Sequence, residues 1–348
     1  MKLLSSSLLA TATLAFLGLG AADVIAASLP SAPALSPQGC NEALQARYKV
    51  TFQADWSIAT HPADFPGNPH FSGLIGGTHQ AGFHFWELGG LASNGMESMA
   101  ESGSQTGLTQ EVNAAINASN AEYLLSGSGT NSPGSTSLSF DISSDYSAVT
   151  LVSMIAPSPD WFIGVDGLEL FQNGRWLNQV VIDLAPFDSG TDNGSMYTSS
   201  NSNTNPADPI FEITGYPFFG VPLGTFTFEK LEGNDLALCV DPLVAGSSAN
   251  FDLSYGTANE TVAIMWSTSL GSTVFNGGSW CVDFGIDFPL ANPQSQLVSS
   301  GQFDGSGNYH ANLPIPVMAA GLTLYLQAAE MNSCPDSRMS NIITRMVN

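Results

Sequence analysis

Asp160, Asp188 and Asp192 are the residues whose type and spacing most directly offer chemistry. They flank PSPDWFIGVDGLELFQNGRWLNQVVIDLAPFDSGTDNG, residues 157–194, in a chain with few charged residues. Asn173-Gly174 reads as a two-residue hairpin turn between apolar runs. Folding the chain there sets Asp160 opposite Phe187 and next to Asp188, with Asp192 close by. Pro157 and Pro159 stiffen one loop at this open end, and Gly190 and Gly194 let the other bend sharply. Carboxylates so placed repel unless something neutralises them. A hard divalent cation taking about six to eight oxygen ligands does so, and calcium suits flexible loops of exported proteins. Turn-capping or solvent-facing aspartates account for the same spacing, and spacing alone leaves the two readings level. Asp166 and Asp183 fall within strand alternation and rank lower.

Other constellations point to chemistry less specifically. Asp188-Ser189-Gly190-Thr191 fits the short pattern of aspartic proteases, which need two such aspartates sharing a proton. The chain has no second copy. His61, His70, His79 and His84 lie close together, but their spacing matches no helical zinc arrangement, and packed structural histidines are expected. Asp304-Gly-Ser-Gly-Asn308 reads as a glycine-rich turn. The six tryptophans, Trp56, Trp86, Trp161, Trp176, Trp266 and Trp280, are expected in the cores, with Trp161 buttressing the acidic loop. Phosphate-binding glycine loops and a nucleophile elbow are absent from the sequence.

The elements that must position these residues are mostly strands. RYKVTFQADW alternates with Tyr48, Val50 and Phe52 on one face. Residues 96–125 hold the one convincing helix, with Thr109 as its N-cap and Val112, Ala115 and Ile116 near one face. Short strands return in LSFDI, AVTLVSMI, WFIGVDGLEL and WLNQVVIDL. After about residue 240, NFDLSYG, TVAIMWSTS, GSWCVDFGI, QLVSSGQF, NYHANLPI and LTLYLQAAEM recur with turn residues between them, the rhythm of a small β-sandwich.

Composition sets the outer limits. Among 348 residues, 7 Lys plus Arg face 30 Asp plus Glu, a formal net charge of −23. That surface repels nucleic acid, and anionic lipid without a bridging cation. Residues 1–26 read as a secretory signal peptide, with Lys2, an apolar run from Leu8 to Leu19 and a small-residue exit before a cut after Ala26 or Ala27. No later run is long and apolar enough to span a membrane as a helix. Residues 27–39 are a Pro-rich lead-in. An even cysteine count in an exported chain, Cys40, Cys239, Cys281 and Cys334, suggests two disulfides with three possible connectivities.

The motif order carries a resemblance. PSPDWFIGVDGLEL followed by DLAPFDSGTDNG, together with YKVTFQADWSIATHPADFP and HFSGLIGGTHQAGFHFWELGGLASNGMESMAESG, resembles the spondin domain, the N-terminal module of F-spondin and mindin. The likeness covers residues 40–240 and leaves residues 241–348 as a C-terminal β-sandwich of unknown role. It implies an all-β fold: an antiparallel β-sandwich similar to calcium-dependent membrane-targeting sandwiches, with one short helix, then a second, smaller sandwich. It implies one Ca2+ ion, with Asp160, Asp188 and Asp192 as ligands and Glu101 of MAESG at a further acidic position. It implies binding in adhesion or recognition, not catalysis, by a secreted, extracellular protein. The partner is then a protein or glycan on a cell surface or matrix, and an open calcium position would accept an acidic ligand group. Because Cys40 and Cys239 bracket the spondin-like region, Cys40–Cys239 and Cys281–Cys334 are the expected pairs. Two departures bear on partners. Residues 240–348 lack the Trp-rich, Cys-dense pattern of thrombospondin repeats, resembling instead β-rich tails of secreted bacterial proteins, and the turn LELFQNGRW lacks a cysteine pair common there. Alternatives are a self-associating matrix or biofilm component, and a secreted hydrolase using the DSGT motif.

Overall fold

The computed structural model describes residues 43–277, 280–288, 296–331 and 338–348. The expected signal peptide and lead-in, and Cys40 and Cys334 with the expected disulfide pairing, lie outside them. Among the described residues no cysteine is a free thiol, and no helix is long and apolar enough to cross a membrane. The chain divides into two compact units. One comprises residues 41–237 with 338–341, and the other residues 238–337 with 342–348.

Strands of the first unit are β1 (Gln45–Ala54), β2 (His70–Phe71), β3 (Ile75–His79), β4 (Ala121–Ser126), β5 (Thr130–Asn131), β6 (Gly134–Ser143), β7 (Ala148–Ala156), β8 (Trp161–Glu169), β9 (Phe171–Gln172), β10 (Arg175–Trp176), β11 (Gln179–Asp183), β12 (Pro186–Asp188), β13 (Phe211–Glu212) and β14 (Gly224–Gly233). They build an antiparallel β-sandwich. One sheet runs β11-β14-β1-β6. The other runs β13-β12-β8-β7-β2-β5, with β3 pairing β7 and β4. In β1, Tyr48, Val50, Phe52 and Ala54 are fully buried while Arg47 and Gln53 are exposed, so the period-two pattern sets the inward face. Phe52 bridges the sheets, its ring 4.9 Å from Phe71 and 5.3 Å from Phe226. Strand β7, AVTLVSMIA, is buried along its whole length because both its faces are covered.

Helices α1 (Asn94–Ser102) and α2 (Thr106–Asn117) stand where one helix was expected. Ser93 starts α1 by accepting the Met96 N–H at 3.1 Å, and Gly103 ends it in the left-handed conformation (φ 69°). Thr109, the expected N-cap, sits inside α2. The cap position is Gln105, whose amide instead donates to Leu74 O and Gly127 O. Glu111 ties the helices by accepting from Gly95 N and Ser93 Oγ at 2.8 and 2.7 Å. Met96, Met99 and Ala100 then pack with Met154 and Phe162 of β7 and β8 in a second apolar layer. Ser93→Ala removes both the cap and a partner of Glu111. It should cost about 1–2 kcal/mol in denaturant unfolding, and unchanged unfolding would show that the cap contributes nothing.

The expected long hairpin at Asn173-Gly174 is also corrected. Both turn residues have positive φ, 54° and 73°, and Arg175 pairs with Gln172 as the turn demands. The returning chain then leaves. Strand β11 crosses to pair β14 in the opposite sheet, and only β12 rejoins β8, with Asp188 opposite Trp161. The chain end also contributes to this unit. Asp235 N and Leu236 N donate to Met339 O, and Arg338 Nη2 donates to Gly174 O and Asp235 O at 2.6 and 2.7 Å.

The second unit is likewise all antiparallel strands: β15 (Ala237–Val240, which begins at the boundary), β16 (Ser248–Ser254), β17 (Thr261–Ser267), β18 (Leu270–Gly277), β19 (Trp280–Ile286), β20 (Leu297–Gln302), β21 (Tyr309–Pro314), β22 (Thr323–Met331) and β23 (Ile343–Met346). They form sheets β15-β16-β21 and β20-β17-β22-β23 and the hairpin β18-β19. Phe251, Leu253, Val262, Ile264, Leu326 and Ala328 are buried among them.

Candidate metal and recognition site

The four acidic residues singled out from the sequence come together at one end of the first sandwich. Asp160 precedes β8 and Asp188 ends β12. Asp192 lies in the loop beyond, and Glu101 in the last turn of α1. Ser158 fixes the entry to β8 by accepting the Trp161 N–H at 3.1 Å, and Ser189 N donates to Asp160 O, extending the β8–β12 ladder past the last strand pair.

Asp160 is fully buried, and its Oδ2 organises the loop. It accepts Ser189 Oγ at 3.0 Å, Thr191 N at 2.8 Å and Asp192 N at 3.0 Å. Its Oδ1 meets no N–H or hydroxyl donor, and the Asp188 carboxyl lies within hydrogen-bonding reach of the Asp160 side chain. Asp188 accepts Gly190 N on Oδ1 at 2.8 Å and Trp161 Nε1 on Oδ2 at 3.1 Å, so Trp161 does brace the loop. Asp192 accepts Gly194 N and Ser202 N, both at 2.6 Å. Glu101 Oε1 is a second buried oxygen without a partner. Burial pushes the Glu101 carboxyl above its ordinary range. A Thr191 hydrogen bond opposes that, and Glu97, Asp160 and Asp192 push with it. Burial, then the adjacent Asp160, raises Asp188 to about 7.

Two orphaned buried oxygens within a four-carboxylate cluster form a hard, oxygen-only donor set, which fits calcium or a similar hard cation. Among the described residues, no three His, Cys, Asp or Glu side chains already stand in a metal-holding arrangement. Both oxygens of Asp188 and of Asp192 accept N–H or indole donors here, so coordination would draw on carboxylates that share their lone pairs with the loop.

The raised Asp188 fixes the sign of a pH effect. A carboxyl whose pKa rises on folding stabilises the fold below its unfolded value near 4, and that stability is lost as pH climbs through about 7. Chelated protein should therefore melt progressively lower between about pH 4 and 7, while any calcium stabilisation grows over the same window as the carboxyls ionise. Melting curves across that range check this, and a flat chelated profile would contradict it.

What lies beside the loop leaves no trace in the sequence. A cleft of about 300 Å³ is lined by Asp188, Asp192, Asp208, Trp161, Phe211 and Tyr216, among others. Phe211 and Tyr216 are 49% and 46% exposed, exposure that the packing of a core does not call for. Asp208 is held to the loop through its backbone, its N–H donating to Gly190 O at 2.9 Å. These residues follow Asp192 with no recognisable spacing or motif.

The histidines go elsewhere. His61 bonds Thr60 and Val221 O, and His70 bonds Asn68 O. Buried His79 meets Thr150 Oγ1 at 2.8 Å, and His84 meets Asp166 at 2.8 Å. Asp304 accepts Ser306 N and Asn308 N as a turn does. Trp56, Trp86, Trp161 and Trp176 are buried and Trp266 is half-buried. The Trp280 side chain lies outside the described residues.

Fold and site together define a β-sandwich module with an acidic loop end. Residues 46–218 match the family model Spondin_N, and the chain belongs to the spondin-domain family. It is 37% identical over 183 residues to Spondin-2 of Rattus norvegicus and 36% identical over 183 residues to Spondin-2 of Homo sapiens. Each match covers 50% of this chain and 54% of the relative. It is 33% identical over 195 residues to Spondin-1 of Rattus norvegicus, covering 52% of this chain and 24% of that protein. The chain thus spans about half the length of the Spondin-2 relatives, and a quarter of Spondin-1.

Proposed function

We propose that this is an exported, non-catalytic spondin-domain protein that works in adhesion or extracellular recognition through the loop end of its first sandwich, with calcium ordering that end. The observation that carries the reading is the pair of buried, unpartnered oxygens, Asp160 Oδ1 and Glu101 Oε1, within a cluster completed by Asp188 and Asp192. Those four side chains would hold the ion. It would neutralise their repulsion and fix loop 188–194 against α1. Trp161 and Ser158 hold the strand end, and the backbone donors of Thr191 and Asp192 hold Asp160 in place. The leader at residues 1–26 and the disulfides Cys40–Cys239 and Cys281–Cys334 belong to the same extracellular reading.

Calorimetric titration of chelator-stripped protein tests it. One calcium should bind per chain, and binding should vanish in Asp188→Ala/Asp192→Ala. Absence of binding in the wild type would remove the metal from the reading.

One observation favours a second reading, a hydrolase. Asp188 lines a cleft with its carboxyl raised to about 7 beside another aspartate, as acid catalysts require. Against it, Asp160 is fully buried and is not among the residues lining the cleft, so the pair does not present a shared proton to a substrate. Cleavage of a peptide or ester panel that is abolished by Asp188→Asn would establish this reading instead.

A further inference from the structure

We propose that the cleft beside the acidic loop is a receptor for a basic side chain, a lysine or arginine of a partner peptide segment. This rests on the recognition reading and deepens it by naming the ligand class. Three features converge. The first is charge: Asp188, Asp192 and Asp208 line the cleft, and no Lys, Arg or His does. Asp160 and Glu101 stand behind the loop, so even one bound divalent cation leaves three of the five carboxylate charges uncompensated. The acidic ligand group expected at an open calcium position would meet that excess, whereas a basic one relieves it.

The second feature is the wall. Phe211 and Tyr216 present exposed aromatic surface in the same cleft, with buried Trp161 beneath. A cation seated over an aromatic face and beside a carboxylate gains from both. Phe211 pairs only at the sheet edge, in the two-residue strand β13 opposite Asp188, and half its surface is open. Tyr216 is anchored through its hydroxyl, which donates to Asp64 and leaves the ring as the available surface. The third feature is size. A cleft of about 300 Å³ is at the small end of ligand sites, suited to one long side chain rather than to an extended ligand. The overall charge of −23 adds long-range attraction for basic segments.

The test uses the full chain in calcium at physiological salt. A fluorescent octapeptide carrying two lysines and two arginines is compared with its glutamate counterpart. Saturable binding of the basic peptide alone is expected. Phe211→Ala should weaken it about 5- to 10-fold, and Asp208→Asn should weaken it as well. Asp304→Asn, in a turn of the second unit, should leave it unchanged. Three results would overturn the proposal: no saturable binding, equal weakening by Asp304→Asn (surface charge alone), or displacement of the peptide by a neutral oligosaccharide through the same Phe211. If calcium binds while the basic peptide does not, the cleft assignment fails and the metal reading stands. If the peptide binds with the expected variant pattern to a protein that binds no calcium, the metal reading fails and the cleft assignment holds.

Discussion

Saturating calcium should raise the melting temperature of the first unit by about 8–16 °C. A ligand present at about 1,000 times its dissociation constant adds roughly 4 kcal/mol, and each kcal/mol moves a unit of this size about 2–4 °C. Asp160→Asn sharpens the test because its effect should change sign with the ion. An asparagine carbonyl can keep the bonds from Ser189, Thr191 and Asp192, while its amide occupies the place of the unpartnered Oδ1. Without calcium, the variant sheds one buried charge beside Asp188 and Glu101 and should melt above wild type. With calcium, it loses a ligand and should melt below. Two parallel melting series, one in chelator and one in calcium, decide the matter. Curves that never cross would separate Asp160 from any metal role.

The second large effect is expected at Gly190. Its φ is 74°, and a Cβ there would stand 2.1 Å from the carbonyl oxygen of Asp208. Gly190→Ala therefore combines left-handed strain with a backbone collision at the point where Asp208 N bonds Gly190 O. The collision cannot be relieved by turning a side chain, so the loop must open. A loss of about 3 kcal/mol or more is expected, together with loss of the calcium response. Gly174→Ala is the matched control, because its φ is 73° but nothing lies within 4 Å of the added carbon. It should cost only the conformational strain, about 1 kcal/mol. Equal losses from the two substitutions would refute the collision argument.

The difference between these glycines shows what a sequence can and cannot disclose here. Both belong to legible turn signals, yet only the folded chain brings Asp208 against one of them. The convergence of Asp160 with Asp188 was readable, because two loops flanking one turn signal must meet if the strands return. The path was not. Val180 and Ile182 alternate equally well for either sheet, so nothing local says that β11 pairs with β14 instead of β8. The break between α1 and α2 left a trace in Ser93 and Gly103, cap residues at the right separation, but Gly95 and the serines diluted the helical period. Phe211, Tyr216 and Asp208 carried no trace, since only the sheet edge and Gly190 draw them to the loop.

One feature of the chain path bears on how the protein is made. The body formed by residues 41–237 takes its last piece, residues 338–341, from beyond nearly all of the second unit. As the polypeptide threads outward from its N-terminus, the first sandwich can assemble its sheets early. It stays unlatched until Arg338 arrives to bridge Gly174 and Asp235. Completion of the first unit is thereby tied to synthesis of the tail.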